Sequence, residues 1–140
     1  MIVDASMAVA AQRQRHEMDS MESSLREGIT LISQGEHRAV SFESLYRAAY
    51  LMCIHKRHDR IVRVVSEGLL EAALTTLRDH ASISLDRSRY DTMCVMIKDL
   101  LLFYNNRRPY NMPSFEEMAD EGWTGAITRL PRRVLRERRV

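Results

Sequence analysis

The sequence predicts an all-α protein, a bundle of about five helices with a basic C-terminal tail. Three observations carry that expectation. The 140 residues hold five glycines and three prolines, with no proline before residue 109, so helix breakers are scarce. Apolar residues recur at spacings of three and four, the period of one helix face. No stretch alternates apolar and polar residues as a half-buried strand does. The length suits one domain, and an apolar fraction of 45% is enough for one core.

The first helix is expected over 6–33, with Met18, Met21, Leu25, Gly28 and Ile32 on its buried face. Residues 1–17 are read as an N-terminal extension or the start of that helix. "QGEHR" ends it, with Gly35 as the C-terminal stop. Ser41 caps the second helix, and Glu43 follows near the positive end of its dipole. Phe42, Leu45, Ala49, Met52 and Cys53 form its core face; Glu43, Tyr46 and Tyr50 share a neighbouring face. "HKRHD" is a polar break or bend. A third helix, 60–80, buries Ile61, Val64, Val65, Leu69, Ala72, Ala73 and Leu77. "ASISLDRSR" reads as a loop or a fraying helix end. The fourth helix, 90–105, turns Met93, Met96, Ile97, Leu100, Leu101 and Tyr104 inward. "NNRRPYNMP" is a loop. "SFEE" is a capping box in which Ser114 caps and Glu117 reaches back. A short last helix then carries Phe115, Met118, Ala119 and Trp123, weakened by Gly122 and Gly125. Pro131 breaks the chain before the arginine-rich end.

The formal charge of +2 excludes a chain that binds nucleic acid through its overall charge. No glycine-rich phosphate loop and no CxxC pair occurs, so neither a nucleotide cofactor nor a structural zinc is expected. His55 and His58 are three apart, but a zinc site needs three or four protein ligands. Cys53 and Cys94 sit in apolar helical patterns, which favours packed, reduced thiols over nucleophiles. The nine methionines fall mostly at core positions as adaptable filling. No argued active site emerges, so the chain is read as non-enzymatic, with no metal and no cofactor. No apolar run reaches the ~20 residues that span a bilayer, and a cytoplasmic or nuclear location is expected. Arg129, Arg132, Arg133, Arg136, Arg138 and Arg139 form the basic end. It is a solvated terminus or, alternatively, a contact for nucleic acid or an acidic partner.

Two tyrosines beside an already complete core stripe ask for a further reason. The stretch "SFESLYRAAYLMCIHK", residues 41–56, resembles the opening of the first repeat of cullins. The match is closest to the third cullin type, which recruits substrates through BTB-domain adaptors. "MCVMIKDLLLFY", residues 93–104, is similar to the helix that ends the same repeat, in the family's order and at nearly its spacing. "NMPSFEEMADEGWTGAITRLPRRVLRER" looks like a diverged lead into a following repeat, with Trp123 at an aromatic position. The resemblance covers about residues 18–130.

The resemblance implies a cullin-repeat-like bundle over 18–106, a loop and short helix over 107–130, and an Arg-rich tail over 131–140. It further implies that Ser41, Phe42, Glu43, Tyr46, Tyr50 and Phe103 contact a BTB-type adaptor. The chain departs from the family between the third helix and "MCVMIKD", where it is several residues shorter and "LDRSRY" replaces an expected tryptophan. The third and fourth helices of the bundle are therefore expected to be shortened or fused. Asn106 stands where a basic residue often helps the contact, although Arg107 and Arg108 follow. The cullin C-terminal half, with its RING-protein site and its modified lysine, has no counterpart here, so no RING partner is expected.

Overall fold

The computed structural model describes residues 2–78 and 83–130, and the side chains of 5–78 and 86–130. The described residues are all-helical. In chain order they form α1 (Ile2–Ser33), a single 3-10 turn (His37–Ala39), α2 (Phe42–Ile54), α3 (His58–Arg78), α4 (Ile83–Leu100), α5 (Leu102–Arg107) and α6 (Phe115–Arg129). None of these helices is long and apolar enough to cross a membrane.

α1 has 32 residues, a length of about 48 Å. From residue 5 onward its buried positions begin only at Met18 and continue through Leu25, Gly28, Ile29 and Ile32. Residues 2–17 are thus the N-terminal half of this helix. Gly35 adopts φ +79°, which a residue without Cβ reaches at no steric cost. The Gly35 N–H donates to Ile32 O at 3.1 Å and that of Glu36 to Leu31 O at 2.9 Å, which satisfies the last carbonyls of α1.

The same device ends α2 with a different residue. Lys56 N–H donates to Cys53 O at 3.0 Å and Arg57 N–H to Met52 O at 2.8 Å. Lys56 therefore holds the left-handed position, at φ 59°, where glycine is usual. "HKRHD" is accordingly a sharp stop and not a bend.

α3 is the central helix, packing on α1, α2, α4 and most extensively on α6. Ile61, Val64, Val65, Leu69, Ala72, Ala73 and Leu77 are all buried there. Beside that apolar contact, Glu22 of α1 is buried and bonded to Arg63 of α3, with Arg60 at 3.6 Å and Arg26 at 3.8 Å. The carboxylate is matched by more than one guanidinium, as a buried charge requires.

α6 approaches α3 closely because Gly122 lies at the crossing. A Cβ on Gly122 would stand 2.9 Å from the Tyr90 hydroxyl and 3.3 Å from the Leu69 backbone. Tyr90 is fully buried, donates to Ala119 O at 2.6 Å and stacks on Trp123 with centroids 5.3 Å apart. Gly122 thus permits the packing of α6 where composition suggests only weakening.

Two expectations are corrected around α4. Ile83 to Arg89 are helical, so most of "ASISLDRSR" is neither loop nor fraying end; residues 81–82 lie outside the described residues. The expected single helix over 90–105 is instead broken at Leu101, whose N–H is shared between Ile97 O and Lys98 O. Helix α5 then starts with Leu102.

Candidate functional site

Helix α2 divides sharply into two sides. Leu45, Ala48, Ala49, Met52 and Cys53 are buried. Phe42, Tyr46 and Tyr50 are 37%, 38% and 37% exposed, far more than aromatic rings that belong to a core. Phe42 is therefore not a core residue, contrary to its spacing with Leu45 and Ala49. It stands on the border of both patterns, three residues before Leu45 and four before Tyr46. Ile54, one turn past Tyr50, is exposed as well. Phe42, Tyr46, Tyr50 and Ile54 thus continue one i,i+4 ridge along the outer side of the helix. Ile54 was missed in the sequence because the polar "HKR" directly after it hides the continuing spacing.

Ser41 fixes the start of this ridge. Its hydroxyl oxygen accepts from Ser44 N–H at 3.3 Å, and the hydroxyl donates to Ser44 Oγ at 3.0 Å. Ser41 is thus first of all a cap, which orients the turn carrying Phe42. Glu43 is exposed in the first turn of α2.

The sixth expected residue comes from α5. Phe103 is half-buried and meets Tyr50 edge to face, with ring centroids 4.7 Å apart. This joins residues far apart in sequence into one aromatic surface, with exposed Leu102 beside Phe103 in the chain. The Tyr46 and Tyr50 hydroxyls have no hydrogen-bond partner among the described residues. They are free to bond outward.

The two residues after Phe103 hold it in place. Tyr104 is buried and donates its hydroxyl to Pro113 O at 2.7 Å. Asn105 Oδ1 accepts from Phe115 N–H at 2.9 Å, and its Nδ2 donates to the Glu116 carboxylate at 3.2 Å. Lys98 completes the cluster, 2.7 Å from Glu116, whose carboxyl is held below its usual range chiefly by that bond. The capping box is corrected here. Ser114 accepts from Glu117 N–H at 3.1 Å, but Glu117 does not reach back, and Asn105 takes the neighbouring amide of Phe115 instead. Arg107 and Asn106 are exposed and Arg108 is half-buried at the end of α5.

Other candidate groups are not brought together. Gln14 Nε2 donates to His55 Nδ1 at 3.2 Å, whereas the His58 ring faces Tyr104 at 6.1 Å. No cluster of three or more potential metal ligands occurs among the described residues. Cys53 and Cys94 are buried free thiols, and burial pushes each up to about 11, which keeps them protonated near neutral pH. Arg129 closes α6, but Arg132, Arg133, Arg136, Arg138 and Arg139 lie outside the described residues. No protein-family model matches the chain.

Proposed function

We propose that this chain is a cullin-like docking module that binds a BTB-domain substrate adaptor of a ubiquitin ligase, and that it performs no catalysis. The supporting observation is the ridge of Phe42, Tyr46 and Tyr50, exposed on a helix whose opposite side is packed, with Phe103 laid against Tyr50. These are the positions that the residue-level resemblance to the first cullin repeat assigns to the adaptor. Tyrosine suits such a face because it offers a large rigid contact and a polar tip at small entropy cost. An adaptor helix or loop would bury the rings, while Glu43 and the tyrosine hydroxyls would supply polar contacts at the edge. The module would occupy adaptors that serve ubiquitin-dependent degradation.

The test is binding of the purified chain to a panel of BTB-domain adaptors, with a non-BTB linker adaptor of another cullin type as comparison. Binding to BTB proteins is expected, and Tyr46→Ala with Tyr50→Ala should abolish it while helicity stays unchanged. Truncating an aromatic anchor of this kind costs about 2 kcal/mol or more. Binding that survives the double substitution would remove the face from consideration. Absence of binding by the folded chain would remove the adaptor reading itself.

A further inference from the structure

The middle of α1 and the α2–α3 turn enclose a small basic cavity that the docking face does not use. Its volume is about 210 Å³, and it is lined by Ala11, Gln14, Arg15 and Met18 of α1 with Arg57 and Arg60 opposite. The three arginines differ in their surroundings. Arg60 is bonded to Asp19 at 2.7 Å and lies 3.6 Å from Glu22, so its charge is engaged and its position fixed. Arg15 and Arg57 are exposed and make no ion pair among the described residues.

We propose that this cavity binds a dianionic phosphate group, held by Arg15 and Arg57 over a wall that Arg60 fixes. Each guanidinium presents a planar fork that matches two phosphate oxygens. Two unpaired cations match the charge of a phosphate monoester, about −1.5 to −2 near pH 7, better than that of a single carboxylate. The positive end of the α3 dipole lies on the same side, since α3 begins at His58. Ala11 and Met18 give the cavity an apolar part, which strengthens the ionic bonds formed beside it. The volume suits one phosphate group and falls below the ~300–1,000 Å³ of sites for larger organic ligands. The Gln14–His55 bond already ties the two walls together, so the site needs little reorganisation to close on its ligand.

The phosphate could be a free ion or a phosphorylated side chain of a protein, and the experiment separates these sources. The full chain is titrated with inorganic phosphate, with a short phosphoserine peptide and with its unphosphorylated counterpart, followed by amide chemical shifts. Saturable shifts are expected at residues 11–18 and 55–60, with none from the unphosphorylated peptide. Tighter binding of the phosphopeptide than of phosphate would identify a protein source; equal or weaker binding would identify the free ion. Arg15→Ala with Arg57→Ala should weaken binding roughly tenfold or more, because both charge-assisted forks are lost. Arg107→Ala, on α5, should leave it unchanged. Shifts that do not saturate, or that spread over arginines generally, would overturn the site. So would a double variant that binds as tightly as the parent.

Discussion

The ring of Tyr50 on α2 meets the ring of Phe103 on α5 edge to face, at 4.7 Å between centroids and 68° between planes. This geometry places the positive edge of one ring on the negative face of the other. It couples the aromatic ridge of α2 to a helix of only six residues, which could not hold its shape alone. A double-mutant cycle on Tyr50→Ala and Phe103→Ala should give a coupling of about 1 kcal/mol in urea unfolding. Strict additivity would mean that the contact does not hold α5 to α2.

Lys56 occupies a left-handed position that costs a side-chain-bearing residue roughly 1–2 kcal/mol. Lys56→Gly should relieve that cost, less the entropy glycine loses on folding, and raise stability by about 0.5–1 kcal/mol. The readout is the urea midpoint at constant slope. A lower midpoint would show that the lysine side chain makes a contribution larger than the strain.

Gly122 and Gly125 should behave oppositely, although both lie in α6. Alanine at 122 would crowd Tyr90 and Leu69, and Gly122→Ala should cost about 1–3 kcal/mol. At 125 the nearest atom to an added Cβ is Leu70 Cδ1 at 3.4 Å, an ordinary contact. Gly125→Ala should therefore stabilise the helix, by up to about 1 kcal/mol. Thermal unfolding of the two variants checks the pair, and equal effects would contradict the packing of α6 on α3.

The depressed Glu116 carboxyl makes a pH prediction with a definite sign. Its folded pKa lies below the ordinary 4.5, so the ionised form stabilises the fold at higher pH. That contribution is lost as pH falls from 4.5 through the lower folded value. Glu116→Gln should lose less stability than the parent on acidification across this window. Parallel losses in the two proteins, measured by urea unfolding at each pH, would contradict the role given to Lys98 and Asn105.

Much of the fold was legible because it depends on local chemistry. Ser41 and Ser114 cap as their spacing implies, and Gly35 turns the chain where a stop was expected. The break at Leu101 was not legible. It falls inside the apolar run "DLLLFY", and what sets α5 apart is the anchoring of Tyr104 and Asn105 to residues 113–116. Those partners lie across a loop, beyond the reach of helical periodicity. The pairing of Phe103 with Tyr50 was out of reach of spacing alone for the same reason. Phe42 fits both the core pattern and the outer ridge by spacing, and only its exposure places it on the ridge.

The length of α1 has a last consequence. Beyond Met18 its amides lie over the common core, and they open only when most of the domain unfolds. Over residues 5–10 the side chains are exposed and the helix has little besides its own hydrogen bonds, and a helix of that length is marginal in water. One continuous rod therefore spans the whole scale of opening free energies, from nearly nothing at its tip to the global value at its base. The transition between the two regimes falls at Gln14 and Arg15, where the rod meets the α2–α3 turn. An anion clamped there would move that boundary toward the tip, so its arrival would be felt as slower exchange in residues it never touches.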